Sequence, residues 1–345
     1  MKINFSPGYL RRQNLRLGDI GEFLLVEKIL KKIRKEQPEV IVGPGDDAFV
    51  VKMSTDKALV VTKDLLVENI HFDLRYINFF SLGYKSMMVN LSDLAAMGGA
   101  RPSFAVVGLA MPVDILVKSV DNLYSGMLKA GKDYAFYIAG GDTVASKKDI
   151  VISITLFGEI DSDRVITRKG AEPGDLILTS GYFGDSAAGL RILQKQKNAR
   201  NKSETYLIKK HLSPRPRFDY ADILSKHRLA TSLIDSSDGL AASLKFIAQN
   251  SQVGMNIFME KIPVSRALRN WARGRSADYF WSLVLAGGEE YELVFTTKPE
   301  NLSRLKRFGL RPYVIGEVSR QKTIRYFLNG RKYKYSGCGF EHFRG

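Results

Sequence analysis

Aspartates recur at chemically suggestive positions along this 345-residue chain. Two adjacent ones follow a Gly-Pro-Gly turn in "GPGDDAFVV" (residues 43–51), and others stand where an apolar run meets a turn or a helix start. They are Asp46, Asp47, Asp64, Asp93, Asp142, Asp235 and Asp238. One aspartate in such a place is usually a helix cap. A set of carboxylates within apolar segments instead predicts a bound cation, because burying an unpaired charge is costly.

The composition narrows the class of that cation. One cysteine, Cys338, and four scattered histidines do not favour a Cys/His metal cluster, and a single cysteine forms no internal disulfide. Carboxylates with hydroxyl neighbours favour Mg²⁺, which commonly joins protein carboxylates to phosphates. The pattern therefore predicts Mg²⁺-dependent phosphoryl transfer. The sequence contains neither a G-x-x-x-x-G-K-[ST] loop nor the H-R-D and D-F-G motifs of protein kinases, which excludes those two classes.

Alternating strand-like and helix-like segments must position these aspartates. In the first half, the apolar spacing predicts helices over residues 21–37, 81–97 and 114–132, and strands over 39–42, 48–53, 58–67, 103–112, 134–142 and 149–160. A charged, turn-rich stretch at 161–174 predicts a boundary between domains 1–162 and 163–345. In the second half, strands at 175–181 and 230–237 run into helices, and "NG" at 329–330 predicts a hairpin. The mixture predicts two α+β domains.

The formal net charge of +16 admits two interpretations. Basic residues are spread along the chain, with short runs only at 31–35 and 331–334, so a solvated basic surface is favoured over a nucleic-acid partner. The chain has no run of 18 apolar residues, and its first residues lack the apolar segment of a signal peptide. We therefore expect a cytoplasmic protein that makes no membrane contact.

An ordered set of motifs extends from about residue 17 to the C-terminal region. In chain order they are "GPGDDA", "TKDLLVENIHF", "NLSDLAAMGGARP", "AGGDT", "TRKGAEPGD", "GDSAAGL", "LIDSSDGL", "LAGGEEYELVFT" and "GFEHF". This set resembles the thiamine-monophosphate kinase family, in the superfamily of AIR synthase, selenophosphate synthetase and the hydrogenase-maturation carbamoyl dehydratase. The resemblance implies ATP-dependent conversion of thiamine monophosphate to thiamine diphosphate. The transfer would be direct and in line, with several Mg²⁺ ions and no covalent intermediate.

The same resemblance implies a fold and a set of site residues. The fold would be two AIR-synthase-like α+β domains, with the N-terminal sheet closing a shared barrel in a homodimer. The implied Mg²⁺ ligands are Asp46, Asp47, Thr62, Asp64, Asp93, Asp142, Asp235 and Asp238, with either Asp46 or Asp47 as the direct ligand. The implied ATP contacts are Tyr124, Gly141, Asp142, Arg168 and Ser237. The implied substrate contacts are His71, Glu289 and Phe340, which suit a cationic thiazolium ring. No side chain is expected to act as an acid, base or nucleophile.

Two positions depart from the family pattern. Lys63 stands where a second hydroxyl residue usually precedes the aspartate, and would replace one ion's charge, contact a phosphate or point away. Glu290 replaces an aspartate in "GGEEYEL". The alternatives are another ATP-dependent enzyme resembling AIR synthase, or a basic non-catalytic paralogue that binds nucleotide or nucleic acid. Selenophosphate synthetase would need a reactive Cys or Sec near the N-terminus and the dehydratase a C-terminal Cys, whereas Cys338 lies inside "SGCGFEHF".

Overall fold

The computed structural model describes residues 16–33, 37–196, 198–337 and 339–343. Cys338 and part of the basic run at 31–35 lie outside these residues. The described chain forms ten helices and two mixed sheets, which confirms the predicted α+β class. Within the described ranges, no helix is long and apolar enough to cross a bilayer.

The first sheet takes its six strands from the N-terminal half. They are β1 (Val40–Val42), β2 (Phe49–Lys52), β3 (Lys57–Val67), β4 (Arg101–Met111), β5 (Tyr137–Ala145) and β6 (Val151–Asp161). Their spatial order is β1-β2-β3-β6-β4-β5, and only the β4–β5 pair is parallel. Burial alternates along β6 at every second residue. Such alternation is typical of a sheet with one covered and one open face.

Among the described residues, three helices belong to this half: α1 (Leu17–Ile33), α2 (Phe79–Ala96) and α3 (Val117–Tyr134). The first begins four residues before the predicted start, and its helical geometry is interrupted at Gly21, whose φ is 70°. Helices α2 and α3 cross closely, because a Cβ atom on Gly126 would lie 2.0 Å from the carbonyl oxygen of Phe80. Helix α2 is buried along most of its length, and its apolar side chains fill the core beneath the sheet.

The second sheet takes seven strands from the C-terminal half, in the spatial order β13-β12-β9-β11-β7-β10-β8. The strands are β7 (Leu176–Thr179), β8 (Ser232–Asp235), β9 (Gly254–Phe258), β10 (Leu293–Thr297), β11 (Tyr313–Ser319), β12 (Ile324–Leu328) and β13 (Arg331–Tyr333). The helices are α4 (Asp185–Gln196), α5 (Lys202–Leu212), α6 (Phe218–Lys226), α7 (Leu240–Ser251), α8 (Arg266–Trp271), α9 (Ala277–Ala286) and α10 (Asn301–Arg307). Strands β12 and β13 form the predicted hairpin, with positive φ at both Asn329 and Gly330.

Helix α2 also packs against the C-terminal half. Its last residues, Ala95 and Ala96, share a core with Leu178 of β7, Leu233 of β8 and Leu293 of β10. One helix therefore contributes to the cores of both halves. This places the C-terminal turns of α2 beside the end of β8, where the two halves meet.

Candidate active site

Three aspartates from distant parts of the chain converge where the two halves meet. Asp47 precedes β2, Asp93 lies on α2 and Asp235 ends β8. One carboxylate oxygen from each lies within 4.8 Å of the others. Close approach of three carboxylates in a buried site is unfavourable unless a cation or protons neutralise them.

Hydroxyl groups and further acids surround these three carboxylates. Thr62 Oγ1 donates a hydrogen bond to Asp93, and Ser92 Oγ donates one to Asp235 Oδ2 at 2.5 Å. Asp64, on the covered face of β3, lies close enough to Asp93 for the two carboxyl groups to act on each other's pKa. In the absence of a metal ion, carboxyl groups this close ionise less readily than isolated ones.

Burial and mutual repulsion raise the pKa values of the cluster. Burial, followed by the charge of Asp47, raises the pKa of Asp235 to about 8. Burial is likewise the main reason that the pKa values of Asp46, Asp64 and Asp238 rise to about 6. The pKa values of Asp47 and Asp93 are also raised, again mainly by burial.

The donor set fits Mg²⁺. Oδ2 of Asp47 and Oδ2 of Asp64 are both buried and have no hydrogen-bond partner among the described residues. Buried carboxylate oxygens normally have a hydrogen-bond partner. Because these two oxygens have none in the part of the chain that the structure describes, they are available to bind a metal ion. Several carboxylates and one hydroxyl, without nitrogen or sulfur donors, are the ligands that a hard divalent cation prefers.

Arg168 supplies the nearest positive charge. Its Nη2 donates to Asp47 Oδ1 at 2.5 Å, and its backbone N–H donates to Asp46 Oδ2 at 3.2 Å. The guanidinium also lies over the ring of Phe246, 4.9 Å from its centroid. One arginine cannot neutralise the whole cluster, which leaves room for further positive charge.

Contacts link the expected substrate residues to one another. His71 Nδ1 accepts a hydrogen bond from Val67 N at 3.0 Å, and its Nε2 lies 3.3 Å from Nε2 of His342. The ring of Phe340 packs edge-on against His342 with centroids 4.8 Å apart. Glu289 is close enough to His71 to act on its pKa, although burial is the main reason that this pKa is lowered. The structure therefore brings the three predicted substrate residues together.

The sequence also matches known families over most of its length. Residues 45–160 match the AIR synthase related protein N-terminal domain, and residues 172–329 match the C-terminal domain of that name. The thiamine-monophosphate kinase of Aquifex aeolicus is 35% identical over 95% of this chain and 100% of that protein. The Escherichia coli thiamine-monophosphate kinase is 34% identical, covering 94% and 98%.

The chain belongs to the thiamine-monophosphate kinase family. A solved structure described as "AaThiL complexed with AMPPCP and TMP" superimposes with a TM-score of 0.83, at 33% identity, covering 96% of this chain and all of that one. These similarities confirm both the resemblance inferred from the motifs and the two-domain AIR-synthase-like fold.

Three residues expected from the family pattern lie apart from the buried cluster within this chain. Asp142 is exposed on the edge strand β5, in register with Gly108 of β4. Asp64 is three strands away, at roughly 14 Å for ordinary strand spacing, and faces the covered side of the sheet. Gly141 lets β5 approach β4, because a Cβ atom there would lie 1.9 Å from Val107 O. The third is Tyr124, half-buried against the N-terminal core. Ser237 lies between Asp235 and Asp238 in the sequence, and its carbonyl accepts a hydrogen bond from Glu289 N.

The two departures from the family pattern have defined environments. Lys63 lies on the open face of the sheet and donates to Ser153 Oγ at 2.7 Å, so it points away from the buried carboxylates. Glu290 is buried and accepts a hydrogen bond from Ser186 N at 2.9 Å, in the first turn of α4. Its role in this state is to satisfy a helix N-terminus.

Two functional candidates were missed from the sequence. Lys85, on α2, and His211, on α5, both contact the carboxylate of Glu289 and are almost completely buried. A lysine inside the apolar run of α2 was the available signal for the first. His211 lies in a polar helix and gave no such signal.

Proposed function

We propose that this chain transfers the γ-phosphate of ATP to thiamine monophosphate, giving ADP and thiamine diphosphate. An oxygen of the acceptor phosphate attacks the γ-phosphorus, and the bond to the β,γ-bridging oxygen breaks as ADP leaves. The observation that carries this proposal is the convergence of Asp47, Asp93 and Asp235 in a chain of this family. A buried carboxylate cluster has no use in an apo protein, but it suits the metal-assisted alignment of two phosphates.

The chain's own groups have separable roles in this reaction. Mg²⁺ held by Asp47, Asp93 and Asp235 would neutralise phosphate charge, with Asp46, Thr62, Asp64 and Asp238 as further ligands, directly or through water. Arg168 is placed to turn from the carboxylates to a nucleotide phosphate, since its planar fork matches phosphate oxygens. Ser237, Tyr124 and Gly141 complete the proposed nucleotide side. His71, Glu289 and Phe340 would hold the thiamine moiety, with the carboxylate and aromatic ring facing the cationic thiazolium.

A product assay tests the activity. Purified protein is incubated with ATP, Mg²⁺ and thiamine monophosphate, and thiamine diphosphate and ADP are separated by chromatography. We expect both products in equal amounts and none when Mg²⁺ is chelated. Absence of thiamine diphosphate at saturating Mg²⁺ would contradict the proposal, and AIR-synthase substrates would then be the next to test.

A homodimer is the assembly that this chain supports best. Strand β5 is a nine-residue edge strand that is exposed along nearly all of its length. An uncovered edge of this length normally pairs with another chain or is protected. A cross-strand row of large side chains lies on the same open face: Phe49, Val61, Phe157, Phe104 and Tyr137. Sheets from two copies that close a shared barrel would cover both features.

The dimer also gives Asp142 a place in the site. Within one chain it lies on the open face, three strands from Asp64. We propose that a second copy brings its Asp142 to the carboxylates of the first. We further propose a cytoplasmic location and a division of the chain into domains 1–162 and 163–345.

A further inference from the structure

Glu289 is held by two side chains that no ligand can reach. Lys85 Nζ lies 2.8 Å from Glu289 Oε1, and His211 Nδ1 lies 3.2 Å from Oε2. Lys85 is 1% exposed and His211 2%, whereas the side chain of Glu289 is 27% exposed. Only Glu289 can touch a bound molecule, so the two residues behind it act through it.

Each oxygen of the Glu289 carboxylate faces a nitrogen of one of these two side chains. Burial, followed by the Lys85 ammonium, lowers the pKa of His211 to about 3, so the imidazole is neutral at pH 7. Its Nδ1 also lies 3.2 Å from Ser186 Oγ. Only the tautomer with a proton on Nδ1 offers a donor to the carboxylate, and we assign it on that basis. Burial acts to raise the pKa of Glu289, but the charge of Lys85 is the largest cause that lowers it. The net shift is downward, so the carboxylate stays ionised.

The backbone around Glu289 is held in an unfavourable conformation. Glu289 and Tyr291 have φ values of 61° and 54°, in the left-handed region. Their N–H groups donate to Ser237 O at 2.6 Å and to Ser236 O at 3.0 Å. Such residues persist only where the surrounding contacts hold them. These two hydrogen bonds fix the turn that carries Glu289 against Ser236 and Ser237, which directly follow Asp235 at the end of β8.

Helix α2 connects Glu289 to the same cluster by a second route. Lys85 and Asp93 both lie on α2, eight residues apart, which corresponds to about 12 Å along the axis. Ser92, on the same helix, donates to Asp235. A helix packed into both cores is rigid, so it sets the distance from the Glu289 carboxylate to the metal-binding oxygens.

We propose that Lys85 and His211 are positioning residues, which hold Glu289 at a fixed distance from the carboxylate cluster so that it grips the organic end of the phosphate substrate. This inference rests on the proposed function. A buried salt bridge often adds little to stability over apolar residues of the same size, so stability alone does not explain this ion pair. A role in substrate affinity does explain it. A substrate with a ring system at one end and a phosphate at the other spans such a site.

Three variants test the pair. Lys85→Met keeps the length of the side chain and removes its charge, Glu289→Gln removes the partner charge, and the double variant removes both. Lys298→Met is the matched control. Lys298 is also ion-paired, with Glu172, but its side chain is 39% exposed and it has no part in the proposed site. Calorimetry measures the dissociation constants of thiamine monophosphate, with Mg²⁺ and a non-hydrolysable ATP analogue present, and of the analogue alone. Steady-state kinetics gives KM and kcat.

We expect Lys85→Met to raise both the dissociation constant and the KM of thiamine monophosphate about tenfold or more, because Glu289 loses the ammonium group that holds it in place and keeps it ionised. The dissociation constant of the analogue should change less than about threefold, and kcat should fall less than KM rises, because uniform binding is lost. The double variant should bind the substrate no more weakly than Glu289→Gln, since Lys85 acts only through Glu289.

Other outcomes overturn the inference. Unchanged affinity for thiamine monophosphate in Lys85→Met, or equal losses for substrate and analogue, would leave Lys85 with a structural role only. If Lys85→Met does not fold, His211→Asn and His211→Ala decide, because asparagine retains an amide donor near the Nδ1 position. Equal substrate affinities in those two contradict the inference. Wild-type protein that neither binds nor phosphorylates thiamine monophosphate overturns the proposed function itself, whereas an active wild type with unaffected variants overturns only this inference.

Discussion

The proposed chemistry depends on acids that repel one another in the absence of a bound cation. Carboxylate oxygens of Asp47, Asp93 and Asp235 lie within 4.8 Å of one another, and Arg168 compensates only part of their charge. Stability and function therefore conflict at these residues. A protein that keeps such a cluster loses stability in the metal-free state, which is the usual relation between active sites and stability.

Neutralising one acid should separate its effect on stability from its effect on activity. We predict that Asp235→Asn lowers kcat at least about 100-fold, because the negative charge of a proposed metal ligand is lost. The metal-free variant should nevertheless be at least as stable as the wild type, since repulsion falls and the amide oxygen can still accept from Ser92. Thermal unfolding with and without Mg²⁺ checks this, and the rise in Tm on adding Mg²⁺ should shrink in the variant. Asp121→Asn, on the exposed face of α3, is the control; a destabilised apo Asp235→Asn would contradict the repulsion argument.

The same acid predicts a pH dependence. In the folded state the pKa of Asp235 is about 8, above its ordinary value of 3.8. Between these two pH values the folded state therefore binds more protons than the unfolded state. The metal-free wild type should therefore lose this contribution to stability as the pH rises from about 5 to 8. The Tm difference between Asp235→Asn and wild type should be small at the acidic end of this range and grow towards the alkaline end. A difference that does not change with pH would show that Asp235 is already neutralised by other means.

Residue types and local context predicted the aspartates as a set, because acids inside apolar segments are uncommon and demand a partner. The structure brings Asp47, Asp93 and Asp235 of that set together. The same reasoning could not find His211, since a histidine in a polar helix is ordinarily solvated. Its burial comes from the packing of α5 against its neighbours, which is a tertiary property.

At the scale of elements, α2 is the component that the site depends on most. It carries Lys85, Ser92 and Asp93, and it packs between α3, the first sheet and the C-terminal core. Small residues allow this crowding, because Gly126 of α3 lies directly against the backbone of Phe80. The helix is held in place by close backbone contact, with little freedom to adjust.

We predict that Gly126→Ala destabilises the fold by about 1–3 kcal/mol, the usual cost of overpacking. The added methyl group would meet a backbone oxygen at 2.0 Å, so the two helices must separate. Urea unfolding followed by circular dichroism measures the midpoint. Ser125→Ala, one residue earlier and exposed, should leave the midpoint almost unchanged. Equal midpoints for Gly126→Ala and wild type would mean that α2 can shift without cost.

Hydrophobic periodicity predicted these elements well, because α2, β3, β4 and β6 are long and strongly patterned. Their observed ends lie within a few residues of the predicted ones. The start of α1 was less well predicted, because its first turn precedes Gly21, which interrupts the helical geometry. Local sequence cannot show which neighbour stabilises such a turn.

At the scale of the whole molecule, the face of the sheet on which a residue lies decides whether it can reach the carboxylate cluster of its own chain. The sequence pattern of a strand indicates that its side chains alternate between two faces, but it does not show which strands are neighbours. The sequence therefore could not show that Asp64 and Asp142 lie on opposite faces of the sheet. The observed order places β6 and β4 between their strands and the two carboxylates on opposite faces. Either Asp142 is outside the site, or a second copy supplies it.

Mixed dimers distinguish these possibilities. Asp64→Asn and Asp142→Asn are purified separately, each is expected to be inactive, and the two are then co-refolded with different tags. If each site takes Asp64 from one chain and Asp142 from the other, a mixed dimer contains one intact site and one doubly altered site. Random mixing should then restore about a quarter of the wild-type activity, because half of the dimers are mixed and each has one working site. If both acids act within one chain, tag-purified mixed dimers have no intact site and remain inactive. Activity of Asp142→Asn on its own would remove Asp142 from the site, and light scattering that shows a monomer would remove the shared barrel.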